Sequence, residues 1–148
     1  MKVSTKGRYG LRAIVDLAVN DKEGQVSLKS VAQRQGLSEN YLEQLFSSLK
    51  KSGIVKSVRG AQGGYLLAKP AEKITVGDVL RSLEGTLCPV DCIDLDMPTS
   101  CDRSDVCVTA PVWAKLRDKI NEVVDSISIA DLVLDFENKT EKDYIYYI

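Results

Sequence analysis

The sequence predicts a mainly α-helical chain carrying one small β hairpin, and three observations carry that reading. Between Ser27 and Tyr65 two short helical patterns flank a glycine turn and run on into a Gly-rich hairpin. After Pro111 an apolar stripe recurs at helical spacing for about four turns. Charge is divided: residues 1–70 hold 12 Lys and Arg against 5 Asp and Glu, and residues 71–148 hold 8 against 16, within a net charge of -1. A basic part joined to an acidic part that faces elsewhere is the footprint of nucleic-acid contact by one half only.

The first helix is expected over Ser4 to Val19, with Leu11, Ile14, Val15 and Ala18 facing inward. Lys6, Arg8 and Arg12 stand near its start, where cations oppose the helix dipole, so phosphate contact is their candidate use. A polar loop over Asn20 to Gln25 leads to Ser27, an N-cap, and Gly36 turns the chain into a second helix capped by Ser38. On that helix Tyr41, Leu42, Leu45, Phe46 and Leu49 form the inward stripe. The opposite face, Ser38, Glu39, Asn40, Glu43, Gln44, Ser47, Ser48 and Lys51, is rich in groups that meet base edges and phosphates.

Ile54 to Val58 reads as a strand, Arg59 to Gly63 as a turn and Tyr65 to Leu67 as the return, which closes residues 1–70 as a winged helix-turn-helix domain. Arg59 beside Gly60 at the tip suits a minor groove, where negative potential concentrates. Residues 71–85 form a connecting helix, opened by a Thr75–Asp78 capping box and stopped by Gly85. Residues 86–110 lack periodicity and contain all four cysteines. Pro111 then opens a helix to Ser126, within a segment of residues 111–127 striped by Trp113, Leu116, Ile120, Val123, Val124 and Ile127. At ~24 Å this helix offers more apolar surface than so small a chain needs, and dimerisation is its expected use. Ser128 and Asp131 cap a short final helix in residues 128–148, which end in YIYYI.

The cysteines are spaced as Cys88, three residues, Cys92, eight residues, Cys101, five residues, Cys107. Paired knuckles that would favour structural zinc are absent. Wide, irregular spacing on a loop suits an iron-sulfur cluster, while redox-sensing thiols and zinc stay open as readings. The chain has no histidine, so a fourth ligand falls to Cys88 or to a carboxylate such as Asp91, Asp94 or Asp105. Without histidine, a phosphate-cradling loop or a nucleophile-base pair, catalysis is not expected. No apolar run reaches the ~18 residues of a membrane span, so a cytoplasmic protein is expected.

The segments KVSTKGRYGLRA, SENYLEQLFSSLKKSGIVKSVRGAQGGY and ITVGDVLRSLEG resemble the Rrf2 family of bacterial winged-helix regulators over nearly the whole chain. The resemblance implies a homodimeric repressor on palindromic operators, with the second helix of the motif in the major groove, the wing in the minor groove and a long C-terminal helix crossing to the partner. DNA contact then falls by position to residues 38–51 and the Arg59 wing. In one branch of the family three loop cysteines and a histidine three positions after the last bind a two-iron, two-sulfur cluster. Cys92, Cys101 and Cys107 match those cysteines, Ala110 stands at the histidine position, and Cys88 is the candidate replacement. Another branch, similar in the N-terminal third and the aromatic ending, represses cysteine metabolism without a cluster and takes its signal from a partner enzyme. The four cysteines favour cluster sensing, tied to cluster assembly or to cysteine and sulfur metabolism, with a cysteine-biosynthesis or cluster-assembly protein as the candidate partner. An iron-sulfur carrier or redox protein without DNA binding is the reading from another class, and the basic N-terminal half and the wing argue against it.

Overall fold

The computed structural model describes residues 2–96 and 101–145. Its helices are α1 (Thr5–Asn20), α2 (Leu28–Gln35), α3 (Glu39–Lys51), α4 (Val76–Glu84), α5 (Ala110–Ser126) and α6 (Ile129–Ile145). Strands β1 (Val55–Val58) and β2 (Gly64–Leu67) follow α3.

Each of the first four helices begins where a short hydroxyl side chain can satisfy an orphan amide. Ser4, Ser27, Ser38 and Thr75 accept from the amides of Lys6, Ser30, Tyr41 and Asp78, and Asp78 returns the bond to Thr75. Gly36 takes the left-handed conformation, φ 65°, that turns α2 into α3. Ile14 and Leu17 of α1, Val31 of α2, Leu42, Phe46 and Leu49 of α3 and Val79 of α4 are sealed in one core. Tyr65 packs edge-on against Phe46 with ring centres 5.0 Å apart, which seats the hairpin on that core.

The hairpin is antiparallel, pairing Val55 with Leu67 and Val58 with Gly64. It starts one residue later than expected, at Val55, and its return begins earlier, at Gly64. Val26 adds a further bridge: its amide donates to the Tyr65 carbonyl at 2.9 Å and its carbonyl accepts from the Tyr65 amide at 2.8 Å.

The C-terminal region departs most from expectation. The final helix is not short: α6 runs for 17 residues, as long as α5. Its first turns belong to the winged-domain core, for Ile129 is fully buried and Val133 nearly so. The chain is tied down there by the Val76 amide donating to Ile127 and the Ile129 amide donating to Ile74, at 2.9 and 2.8 Å. The end of the aromatic tail, Tyr146 to Ile148, lies outside the described residues.

Helix α5 starts at Ala110 with Pro111 in its first turn, one residue before the expected start. It buries no residue fully. The region expected to be irregular, residues 86–110, contains two single 3-10 turns at Asp91–Ile93 and Ser104–Val106. No helix among the described residues is long and apolar enough to cross a membrane.

Candidate nucleic-acid interface and cysteine loop

The inward stripe of α3 anchors it so that its opposite face is presented whole. Leu42, Leu45, Phe46 and Leu49 are buried, while Ser38, Glu39, Asn40, Glu43, Gln44, Ser47 and Lys51 are exposed. Asn40, Glu43, Gln44 and Ser47 line a shallow open depression along the helix. Amide side chains can pair with adenine edges and carboxylates can accept from cytosine, so the middle of this face carries groups capable of meeting base edges. Its cation, Lys51, lies at the C-terminal end.

The wing stands beside that face. Arg59 and Gly60 are exposed at its tip, and Gly60, with φ 130°, makes the turn that a side chain would strain. Two contacts that sequence reasoning missed hold it in place. Gln25 Nε2 donates to the Gln62 carbonyl at 2.7 Å, and Lys50 Nζ donates to Ser57 Oγ at 2.6 Å. The second ties the last turn of α3 to β1. Lys50 carries no signal of its own in the sequence, because its partner is set by the hairpin.

At the start of α1, Lys6 and Arg8 are exposed. The Arg8 and Arg12 guanidiniums lie 5.7 and 5.6 Å from the Tyr9 ring centre, and Tyr9 meets Tyr41 edge-on at 6.4 Å. Arg12 is engaged elsewhere as well, donating to the carbonyl and side-chain oxygens of Gln35 at the end of α2. Buried Asp16 receives a forked pair from Arg34, with contacts of 2.6 to 3.1 Å, and a bond from Gln35. This network fixes α2 against α1 and was not visible as a motif.

All four cysteines are free thiols; Cys88 and Cys107 are half-buried, Cys92 and Cys101 exposed. Burial, helped by the charge of Asp94 and opposed by Arg117, pushes the Cys88 thiol up. Cys107 sits just before α5, where the Thr109 hydroxyl, 3.3 Å from its sulfur, and the Thr109 and Ala110 backbone pull its thiol down. Cys92 lies in the Asp91–Ile93 turn, clamped to α5 by Arg117 Nη1 donating to the Ile93 carbonyl at 2.7 Å.

The donors fit a cysteine-ligated cluster in kind, four thiols with no competing imidazole. Their positions do not assemble one: among the described residues no three or more Cys, Asp or Glu side chains come together as a metal site. Cys88, Cys92, Cys101 and Cys107 therefore share a loop without converging, and the candidate carboxylates Asp91, Asp94 and Asp105 do not complete a set with them.

Along α5 the expected dimerisation stripe divides. Leu116 and Val123 are exposed, as is Val112 beside them, while Trp113, Ile120, Val124 and Ile127 are half-buried. The helix is held to α4 by Arg81, which donates to Asp125 at 2.9 and 2.7 Å and to Asn121 at 2.9 Å.

A family model for Rrf2, an iron-dependent transcriptional regulator, matches residues 3–135. The chain belongs to the Rrf2 family. This Rrf2 chain is 43% identical to the HTH-type transcriptional regulator CymR of Bacillus subtilis (strain 168) over 148 residues, 100% of both chains. It is 42% identical to the HTH-type transcriptional regulator IscR of Pectobacterium atrosepticum over 133 residues, 90% of this chain and 79% of that one. The structure of CymR (YrzC), the global cysteine regulator of B. subtilis, superposes with a TM-score of 0.72 at 46% identity, covering 90% of this chain and 96% of that one. T. potens IscR gives 0.75 at 50% identity, covering 94% and 90%. The mostly helical Rrf2 chain with its two-stranded hairpin thus has the winged-helix fold of those regulators, and it is itself a DNA-binding transcriptional regulator.

Proposed function

We propose that this Rrf2 regulator is a homodimeric repressor that places α3 in the major groove and the Arg59 wing in the minor groove of a palindromic operator. The observation that carries the reading is the pairing of an exposed base-competent face on α3 with a wing seated on the same core by Tyr65 against Phe46 and joined to the last turn of α3 by Lys50 and Ser57. Glu39, Asn40, Glu43, Gln44 and Ser47 are the base-reading candidates, and Ser38, Lys51, Lys6 and Arg8 the phosphate contacts. Two copies joined through the exposed side of α5 would set their recognition helices about one DNA turn apart. No residue here is given a catalytic role.

The loop is the sensing element of this reading, and its regulated genes are those of cluster assembly or of cysteine and sulfur metabolism. Cys92, Cys101, Cys107 and Cys88 would hold a two-iron, two-sulfur cluster. When bound, such a cluster supplies a redox-sensitive crosslink across a loop that otherwise keeps its thiols apart. A second reading, control by a cysteine-biosynthesis or cluster-assembly protein without a cluster, is favoured by full-length similarity to CymR and by the dispersal of the thiols.

Both parts are open to direct measurement. Arg59→Ala should weaken binding to a selected operator and leave preference among major-groove variants intact; unchanged binding at fixed salt would sink the wing assignment. Roughly two iron and two sulfide per chain after anaerobic purification would support the cluster. Iron-free protein whose Cys-to-Ser variants still respond to sulfur supply would replace it with the partner-controlled reading.

A further inference from the structure

The start of α1 is held by a carboxylate from the far end of α4. Glu84 Oε1 accepts from the Ser4 amide at 3.0 Å, from the Gly7 amide at 2.9 Å and from the Ser4 hydroxyl. Ser4 is already the N-cap of α1, through the Lys6 amide, so Glu84 adds a second acceptor 80 residues distant in sequence. The approach is close because glycines line it. A methyl group at Gly7 would collide with the Glu84 carboxylate, and one at Gly10 with the Leu83 side chain.

This contact sits between two regions that the proposed function assigns to different tasks. On one side, Lys6 and Arg8 project from the first turn of α1, where they oppose the helix dipole and no acidic side chain of α1 offsets them. Glu84 supplies the missing negative charge. On the other side Glu84 is the last residue of α4, and the chain passes through Gly85, Thr86 and Leu87 into Cys88. The other end of the cysteine loop leads into α5 at Ala110, and that helix is pinned to α4 only toward its own C-terminal end, where Arg81 meets Asn121 and Asp125. The last turn of α4 thus leads directly into the loop on one side and grips the start of α1 on the other.

We propose that Glu84 is the positioning residue through which the state of the cysteine loop reaches the DNA-facing start of α1. The inference rests on the reading that the loop senses and that Lys6 and Arg8 face DNA. A loop rearrangement that draws Glu84 off the Ser4 and Gly7 amides removes their shared acceptor, and Lys6 and Arg8 lose the geometry in which they meet phosphates.

A double-mutant cycle on the full chain tests this. The probe is a duplex selected from random DNA by the anaerobically purified wild-type protein. Affinity is measured for wild type and for Cys92→Ser/Cys101→Ser/Cys107→Ser, each with Glu84 intact, as Glu84→Ala and as Glu84→Gln. With Glu84 intact the loop substitutions should change affinity on the order of 10-fold. In the Glu84→Ala background the same substitutions should change it little, and Glu84→Gln, whose amide oxygen accepts the same bonds, should restore the response. Gly7→Ala, which displaces the carboxylate without removing it, should behave like Glu84→Ala and serves if the latter folds poorly. An equal loop response in the Glu84→Ala and intact backgrounds would overturn the positioning role alone. No loop response even with Glu84 intact would overturn both that role and the sensing reading.

Discussion

Helices α3 and α5 carry apolar stripes of the same period and use them differently. Four of the 13 residues of α3 are buried, and its stripe is closed by α1, α2 and the hairpin of its own chain. Helix α5 has 17 residues and buries none of them, and one side of its stripe stays open at Val112, Leu116 and Val123. Periodicity alone says that a helix has an apolar face; what covers that face decides whether its burial stabilises the monomer or an assembly. The stability of the winged domain is on this view internal, while that of α5 is conditional on a second surface.

The sharpest way to break the comparison is in the core. Phe46 is fully buried against Tyr65, and Phe46→Ala should cost about 3–5 kcal/mol in a urea titration, from lost transfer energy and the cavity left behind. Leu116→Ala, on the exposed side of α5, should change monomer stability by no more than about 0.5 kcal/mol. Comparable losses at both sites would mean that α5 is covered by its own chain after all.

Ile129 sharpens the boundary. It lies beyond α5 in sequence but within the core of the winged domain, fully buried. Ile129→Ala should therefore destabilise the wing and α1 together by about 2–5 kcal/mol, seen as one cooperative transition. A separate early transition confined to the C-terminal region would show that α6 folds as an appendage.

These two sites also mark what the sequence disclosed. Caps at Ser27, Ser38 and Thr75, the Gly36 turn and the α3 stripe were legible because each depends on chemistry within four residues of itself. The full length of α6 was not, because beyond Phe136 its polar run ENKTEKD has no periodic apolar face, and the anchor at Ile129 and Val133 depends on α1 and on residues 71–74. The polar face of α3 and the Arg59 tip were readable from side-chain type. The contacts that hold the wing were not, because Lys50 meets Ser57 and Gln25 meets Gln62 across a hairpin. The cysteines were visible as a set, but that they do not converge was not, because residue type and spacing do not set distances across a loop.

The conditional side of the comparison is tested by charging the open face of α5. Leu116→Glu with Val123→Glu should leave the helical circular-dichroism signal intact and weaken self-association by roughly 100-fold or more, the loss expected when two such side chains can no longer be buried. Sedimentation across a dilution series reads the change. Unaltered association would place the dimer contact elsewhere.

The smallest expected effect concerns how α5 is joined to α4. Hydrogen bonds from Arg81 hold the Asp125 carboxyl below the usual carboxylate range. A carboxylate whose proton affinity is lowered by folding contributes stability that is complete above its unfolded value near 3.9 and is lost as pH falls through the folded one. Both side chains are more than a third exposed, so screening keeps the contribution below about 1 kcal/mol. Asp125→Asn keeps the shape of the contact and removes the charge. Its deficit against wild type should be present at pH 7 and pH 5 and should shrink toward pH 3 in parallel urea titrations. A deficit unchanged by pH would assign the Arg81 contact to packing alone, and α5 would then be held to α4 no more electrostatically than α3 is held to its core.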